Sequence, residues 1–474
     1  MTGPAGMRHA AIALSVLLGG PALPAWAQGE ESCPERPDYR NLRYEENWRS
    51  LADPTCMDGM FDRLKHLPLG DGGEGFISFG GEARLRYEFV NNGAFGSDPP
   101  DPNGYFLKRA LLHTDVHPVE RARFFFQLQS ANEAGRVGGP RAEDDDELDV
   151  NQAFADWTAY EEGTDSLTLR AGRQELEFGA SRLLSARDGF NTRQSFDGFR
   201  VFGREGRFHF NATAARVVET RPDTFDNDTN RRHWYIGASA WTALDVLPGA
   251  TIGVLFPSRR QENAEFDVGR GVDERYTQGV RLWGKTGAWD YNWEGGRQGG
   301  EFEGRKVRAW YFASDTGYSF AGHATAPRLG LRLDATSGDR DPNDGTLNTF
   351  SSLFASTSYS GLSGLVGPSN VLDVAPSVSF SPAPHVRLNA GVIGYWRVST
   401  EDGIYKITGG VRRTGQMSDA RHVGTQSTVQ AVYTPTSRWT WLATLSYFET
   451  GKFLDETPPS DDVTYFTTWV TFRF

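Results

Sequence analysis

Long apolar runs are missing from most of this chain, and cysteine and lysine are scarce. The chain has 474 residues, and beyond residue 18 no stretch approaches the ~20 apolar residues that a membrane-spanning helix requires. A helical membrane protein is therefore excluded. One ordinary soluble domain is also disfavoured, because the chain is long and has no linker or low-complexity break after about residue 75.

Cysteine occurs only at Cys33 and Cys56. In an oxidising compartment a disulfide closing this short loop is favoured over two free thiols. No cysteine or histidine cluster has the spacing of metal ligands, so the sequence predicts neither a metal site nor a cofactor. The net charge of -12 argues against a nucleic-acid partner.

Lysine supplies only six of the 49 basic residues, so most positive charge is arginine. Arginine binds carboxylates through a rigid bidentate fork and stays charged. Acidic residues gather in loop-like stretches at 143–147 and 339–344, whereas arginines recur inside alternating segments.

The first 27 residues have the pattern of a secretory signal peptide. Arg8 and His9 precede the apolar run 10–18, and the sequence A-W-A at 25–27 is an A-x-A cleavage site. We expect the mature chain to begin at Gln28.

The last nine residues, 466–474, alternate between an apolar and a more polar face and end on Phe474. Soluble domains rarely end on an apolar strand, because termini are normally exposed and frayed. A terminal strand ending in Phe resembles the closing strand of bacterial outer-membrane barrels, where the assembly machinery reads that end. An ordinary sheet strand is the alternative.

Alternating segments recur along the chain, and 77–89 is the clearest. Its apolar residues share one face, while Glu82, Arg84 and Arg86 share the other. In a soluble sandwich the apolar face meets a core, whereas in a membrane barrel it meets lipid and the charges line the lumen. Periodicity alone does not separate these folds, but the signal peptide and Phe474 favour the barrel.

The predicted fold class is an all-β transmembrane antiparallel barrel of about 18 strands (16–18) with a polar, Arg-rich lumen, since ~25 residues are needed per strand and connection. The last strand should pair with 77–89, because closure joins last to first. The other predicted strands are 106–117, 121–130, 167–171, 208–214, 234–240, 252–256, 280–284, 289–293, 307–313, 329–335, 374–380, 386–398, 423–433, 439–447 and 466–474.

Connections and aromatic residues fit the same architecture. The turn 118–120 is short and the connection 132–149 long and acidic, as expected for the two ends of such a barrel. The connection 337–372 is predicted to be an extracellular loop that folds over or into the mouth. Aromatic residues near strand ends predict interfacial girdles, with ordinary sheet packing as the alternative. They are Trp234, Tyr235, Trp241, Tyr276, Trp289, Trp293, Trp439 and Trp441.

The segment 170–200 is dense in arginine and acid. It contains R-A-G-R-Q-E-L-E-F-G, then S-R-L, R-D, N-T-R and F-D-G-F-R. Together with 44–48, 80–88, 152–156 and 337–342, these motifs in this order resemble the alginate export family of outer-membrane barrels. One departure is Gln426, where an acidic residue is expected after Gly-Thr.

The resemblance implies a monomeric barrel of about 18 strands whose Arg-lined constriction passes an anionic polysaccharide. The expected division is a signal peptide at 1–27, a periplasmic N-terminal segment at 28–75 and an outer-membrane barrel at 76–474. The N-terminal segment is a candidate docking or plugging element.

The candidate lumen residues combine arginines with a few acids. They are Arg84, Arg86, Arg109, Arg121, Arg123, Arg173, Glu175, Arg182, Arg187, Arg193, Asp197 and Arg200. An isolated buried charge is prohibitively costly, so those between 170 and 200 must pair with nearby acids, face water, or both. They form a belt of ion pairs that holds the lumen shape, a basic constriction that attracts carboxylates, a mixture, or solvated loop charges. Strand parity turns Arg173 and Glu175 inward only if Gly172 marks a bulge.

The predicted function is passive conduction of an anionic polysaccharide, of the alginate-export type, with a porin for small anions or sugars as the alternative. A focused positive potential would raise the local concentration of an anion, and several moderate arginine sites would let it leave again. No nucleophile motif supports an enzyme, and a secreted soluble β protein is a further alternative. The expected partners are outer-membrane lipid, the polysaccharide or small anions, the barrel-assembly machinery, and periplasmic export proteins.

Overall fold

The computed structural model of the protein describes residue 33 and residues 36–70, 75–352, 354–357 and 361–474. The predicted signal peptide at 1–27 lies outside these residues. Within the described part of the chain, no helix has the length and apolar character needed to cross a bilayer.

Eighteen long strands form the body of the molecule. They are β1 (Gly75–Asn91), β2 (Tyr105–Val119), β3 (Ala122–Ala134), β4 (Asp146–Glu162), β5 (Asp165–Glu175), β6 (Ser195–Glu205), β7 (Phe208–Glu219), β8 (Asp228–Ala243), β9 (Ala250–Phe266), β10 (Gly269–Thr286), β11 (Trp289–Phe302), β12 (Arg305–Ser319), β13 (Arg328–Thr336), β14 (Leu372–Ala383), β15 (Val386–Trp396), β16 (His422–Thr436), β17 (Trp439–Thr450) and β18 (Val463–Arg473). Short strands at Leu67–Leu69, Thr346–Leu347, Ile404–Tyr405 and Val411–Arg413 and a few single-turn helices complete the fold.

The sheet closes on itself through its first and last strands. β1 pairs antiparallel with β18 from Glu82↔Arg473 to Asn91↔Thr464, and each intervening strand pairs with its neighbours in the chain. The predicted closed antiparallel barrel, its strand number and its seam are confirmed.

Two strands were missed, and one residue was misplaced. β4 and β6 do not alternate cleanly, since β4 begins among acidic residues and its pairing with β3 shifts register twice. The connection predicted at 132–149 is therefore shorter, because β3 and β4 extend into it. Arg121, predicted to begin a strand, lies exposed in the two-residue turn before β3.

The two faces of the strands differ as the alternation predicts. On β1, Leu85 is 46% exposed on the outer surface, whereas Arg84 and Arg86 are 5% and 3% exposed on the inner side. Two of the predicted girdle residues point inward instead. Tyr235 is buried against Phe178 and Phe196, and Trp241 stacks on His209 inside the barrel.

The two ends of the barrel carry different connections. Short turns of two to eight residues lie at the end that holds the C-terminus, whereas most connections at the other end are long. Short connections at 267–268 and 303–304 are exceptions at the long-loop end. Outer-membrane barrels place their short turns in the periplasm and their long loops outside.

In the part of the chain that the structure describes, three of the long connections fold into the barrel. We call them the first inner loop (176–194), the second inner loop (337–371 without 353 and 358–360) and the third inner loop (397–421). The predicted loop at 337–372 thus enters the mouth. Phe354 of the second inner loop bonds through its backbone to Leu183 and Ser185 of the first, at 2.8 and 2.9 Å. Leu184 and Phe350 join a buried apolar cluster against the wall, so the loops are packed in place.

Residues 36–70 of the N-terminal segment lie at the short-turn end and contact the barrel seam. Arg43 donates to the backbone oxygens of Gly81 and Phe474, at 2.9 and 3.0 Å. Cys33 and Cys56 are joined by a disulfide in the same segment.

Candidate functional site

The lumen narrows where the first and second inner loops meet. A lower chamber of about 850 Å³ lies against the inner face of β12–β18, and an upper chamber of about 390 Å³ lies towards the long loops. Both chambers reach Gly189, Thr357 and Leu362, which we call the neck. A Cβ on Gly189 would lie 2.0 Å from Thr357 Oγ1, so any other residue there requires the Thr357 side chain to move.

Arginines of the first two strands hold the first inner loop beside the neck. Arg84 donates to the backbone oxygens of Asp188 and Phe190 at 2.8 and 2.6 Å. Arg86 donates to the backbone oxygen of Gly189 at 2.7 Å. These side chains face inward because they alternate with lipid-facing residues on β1. Their guanidinium groups therefore fix the loop that forms one wall of the neck.

Asp188 connects this loop to two further arginines. Its carboxylate accepts from Arg109 at 2.5 Å and from Arg193 at 2.6 Å. Burial disfavours its charge, but Arg109, Arg193 and Arg84 outweigh that effect and hold the pKa of the Asp188 carboxyl well below its usual range. The carboxylate therefore stays ionised between the arginines.

Further acids complete the network, which we call the arginine belt. Glu82 accepts from Arg109 at 2.5 Å and from Arg473 at 2.9 Å, and Glu175 accepts from Arg193 at 2.6 Å. The belt comprises Arg84, Arg86, Arg109, Arg193, Arg473, Glu82, Glu88, Glu175 and Asp188. Five guanidiniums face four carboxylates, so the belt carries one excess positive charge. Arg84 is the member that donates to backbone oxygens, with no carboxylate partner seen among the described residues.

Trp469 adds an aromatic surface to the belt. The guanidiniums of Arg84 and Arg86 lie 5.8 and 4.9 Å from the centre of its ring. Trp469 and Arg473 also line the lower chamber. A carboxylated ring that reaches the neck from below would meet both a flat aromatic face and positive charge.

The other sequence-predicted residues lie apart from the belt, and Arg173 and Asp197 have the same parity as the outward-facing Leu169 and Phe199. Arg123 makes a bidentate pair with Asp115, at 2.7 and 2.8 Å. Arg173 pairs with Asp197 at 2.9 and 3.1 Å. Arg182 approaches Asp334 at 3.4 Å. These three pairs lie outside the belt, so the structure does not bring the whole predicted set together.

Arg187 and Arg200 differ because no ion pair with a carboxylate is seen for either among the described residues. Arg187 is half-buried in the first inner loop, with its guanidinium 4.8 Å from the ring centre of Phe354, and desolvation lowers its pKa to about 10. Arg200 donates to Asn211 at 2.8 Å. Gly172 has a φ of +127°, yet β5 pairs with β6 through it without a register shift, so no extra residue is inserted there. The predicted inward placement of Arg173 is therefore wrong, because Arg173 keeps the outward parity of Leu169.

Sequence reasoning left several belt residues out of its candidate set. Glu82 and Arg473 share the inward parity of Arg84 on strands already recognised, so alternation could have found them. Asp188 carries no such signal, because its position depends on how the first inner loop folds back into the lumen.

A closed 18-strand barrel with an apolar outer surface and a charged lumen narrowed by inward loops defines a channel of the bacterial outer membrane. The family model described as alginate export matches residues 76–467. The chain belongs to the alginate export family, and it is an outer-membrane porin-type channel.

Solved structures of outer-membrane channels from Pseudomonas aeruginosa share this fold. OpdK with vanillate is 13% identical, with a TM-score of 0.56 over 84% of this chain and 98% of that one. OccK2 (OpdF) in complex with glucuronate is 12% identical, with a TM-score of 0.56 over 84% and 96%. OccD3 (OpdP) is 13% identical, with a TM-score of 0.55 over 93% and 99%. Identities this low establish the fold alone, and a comparison with curated proteins gives no match.

Proposed function

We propose that the protein is a passive channel for small carboxylated sugars of sugar-acid size. The observation that carries this proposal is the neck, which lies between two chambers and beside a belt with one excess positive charge. OpdK and OccK2, which share the fold, were solved with vanillate and with glucuronate, and both of these molecules carry a carboxylate.

The belt has the chemistry of a weak carboxylate site. Four of its five arginines have a carboxylate partner, so a passing anion competes with internal acids and is not trapped. Arg84 supplies the excess charge close to the neck. Weak binding of this kind favours both entry and release.

The inner loops favour a small solute over a polymer. The first and second inner loops are joined by backbone hydrogen bonds from Phe354 to Leu183 and from Ser185 to Phe354. A wider path through the neck would require these bonds and the apolar packing around Leu184 to be broken. An anionic polysaccharide is the second candidate, which the description of the family as alginate export favours.

Single-channel recordings in planar bilayers test the proposal. In a KCl gradient the reversal potential should be shifted from zero towards the equilibrium potential of chloride. Glucuronate should carry current or block it transiently, while glucose should do neither. Arg84→Gln should weaken both effects, and Arg297→Gln, at an exposed arginine bonded to Gln278, is the matched control.

A strongly cation-selective wild-type channel would overturn the proposal. Oligouronates of increasing length separate the two cargo candidates. Block that weakens beyond a disaccharide supports a small solute, whereas block that strengthens steadily with chain length supports a polymer.

A further inference from the structure

A third cavity lies at the short-turn end of the barrel, away from the neck. Its volume is about 630 Å³, and it is enclosed by the inner face of β2–β8 and by residues 44–49 of the N-terminal segment. We call it the vestibule pocket. The lower chamber lies against the opposite wall, where Tyr39 and Asn41 of the same segment form part of its lining.

The vestibule pocket contains arginines that lack carboxylate partners. Six arginines and four acids line it. Arg123 and Arg170 pair with Asp115 and Asp156, but no ion pair is seen for the other four within the described ranges. These four are Arg49, Arg121, Arg200 and Arg204.

The contacts of Arg200 and Arg204 leave donors available. Arg200 donates through Nε to Asn211 at 2.8 Å and through one terminal nitrogen to the Tyr44 hydroxyl at 3.4 Å, and Arg204 donates through Nε to the backbone oxygen of Gly206 at 2.7 Å. The Nε atom of each guanidinium is therefore engaged within the protein, and terminal nitrogens remain to bind a ligand. The terminal nitrogens are the groups with which arginine grips a carboxylate.

An aromatic wall lies beside these arginines. Trp241 lines the pocket and is supported on one side by His209, with ring centres 5.3 Å apart and planes 4° from parallel. The guanidinium of Arg200 lies 4.8 Å from the ring centre of Phe202. A supported indole offers a flat apolar face against which the C–H bonds of a pyranose ring pack.

Tyr44 closes the inner end of the pocket. Its hydroxyl donates to the backbone oxygen of Glu175 at 3.0 Å, and its ring packs edge-on against Phe125 and Phe154. Its backbone oxygen accepts from Arg123 at 2.7 Å. The pocket is therefore separated from the arginine belt and lies off the path through the neck.

We infer that the vestibule pocket binds the carboxylated end of a uronate or short uronate chain at the periplasmic mouth. The carboxylate binds at Arg204, which is in register with His209 and therefore lies near Trp241, and the sugar ring packs on Trp241. This inference rests on the proposed function for its choice of ligand. Its consequence is a raised local concentration of cargo beside the opening of the barrel.

Titration calorimetry on the purified full chain in detergent tests the inference, with a uronate trisaccharide as the probe and a glucose trisaccharide as the neutral comparison. Wild-type protein should bind the uronate and not the neutral sugar. Arg204→Gln should weaken binding about tenfold, as expected for the loss of one charge-assisted contact, and Trp241→Leu should weaken it to a similar degree.

Arg207→Gln is the matched control. Arg207 lies in the turn after β6, pairs with Asp245 and is not part of the pocket lining, so this variant should bind like wild type. The KCl conductance of Arg207→Gln should equal that of wild type, and the formation of open channels by the two pocket variants shows that their barrels are folded.

Two outcomes would overturn the inference: no uronate binding by the wild type, or equal affinity in wild type and both pocket variants. Bilayer recordings keep this result distinct from the proposed function. If uronate affects the channel current but the pocket variants bind it as tightly as wild type, the pocket inference is wrong and the channel proposal stands. If the pocket variants bind uronate more weakly but uronate does not affect the channel current, the proposed cargo is wrong and the pocket inference stands.

Discussion

Replacement of Asp188 by asparagine is the sharpest test of the arginine belt. The side chain keeps its shape and one accepting oxygen, but the belt loses a carboxylate that lies 2.5 Å from Arg109 and 2.6 Å from Arg193. The excess positive charge beside the neck therefore rises from one to two. Glu82 and Glu175 still pair with the two arginines, so the barrel should remain folded.

The size of the effect follows from Coulomb's law. One added charge changes the energy of a monovalent anion about 8 Å away by about 2 kcal/mol at an effective dielectric constant of about 20. Screening by salt reduces this to about 1 kcal/mol, which corresponds to roughly a fivefold rise in anion-over-cation permeability. The reversal potential in a KCl gradient should move towards that of chloride by tens of millivolts.

The same measurement at two pH values checks the charge state of Asp188. Its folded pKa is depressed, so the carboxylate stays ionised well below 3.8, the ordinary value, and the stability that it contributes is fully present above 3.8 and is lost as the pH falls from there to the folded pKa. The reversal-potential difference between wild type and Asp188→Asn should therefore be the same at pH 7 and pH 5.

An acidic residue far from the belt provides the control. Asp245→Asn removes an exposed acid at the short-turn end and should leave selectivity unchanged. An unchanged reversal potential in Asp188→Asn, or a move towards potassium, would refute the placement of the belt beside the conducting path.

Three further predictions concern the neck, the N-terminal segment and the inner loops. Gly189→Ala should reduce single-channel conductance, because its Cβ would collide with Thr357, and Thr357→Gly should restore it in the double variant. Replacing both cysteines of the Cys33–Cys56 disulfide by serine removes about 3 kcal/mol of loop-closure stabilisation from the N-terminal segment and should speed its proteolysis, with conductance as the control. Burial raises the pKa of Asp402 to about 6 despite its hydrogen bonds, so the charged form is penalised in the fold. Local stability should rise as pH falls through 6, seen as slower hydrogen exchange in the second and third inner loops after correction for intrinsic rates, and Asp402→Asn should lose this pH dependence.

The barrel was predictable from the sequence because lipid imposes a strict period of two. Leu85 and Arg84 differ in polarity and fall on opposite faces, and the same contrast holds for most strands. β4 escaped this reasoning because inward acids and register shifts interrupt its alternation, and β6 because Asp197 and Gly203 interrupt its apolar face. Trp241 and Tyr235 were misassigned since position near a strand end does not reveal which face an aromatic residue takes.

The candidate site was less predictable, because its arrangement depends on packing between distant segments. The sequence predicts that Arg84 and Arg109 face inward, but it does not reveal that both form hydrogen bonds with Asp188 of the first inner loop. That loop is held in the lumen by apolar contacts of Leu184 and Phe350, which belong to no recognisable motif. Charge pairing was expected in general terms, yet the choice of partner for each arginine follows only from the folded loops.

The position of Arg43 bears on the order in which the barrel closes and the N-terminal segment docks. Its guanidinium is held by the backbone oxygens of Gly81 on the first strand and Phe474 beyond the last. Gly81 and Phe474 also exchange two backbone hydrogen bonds with each other, at 2.9 and 3.1 Å. This binding site does not exist in an open sheet, because its two halves come from opposite ends of the chain. Arg43 can therefore form both contacts only after the seam has closed, so this docked arrangement reports that the barrel is closed.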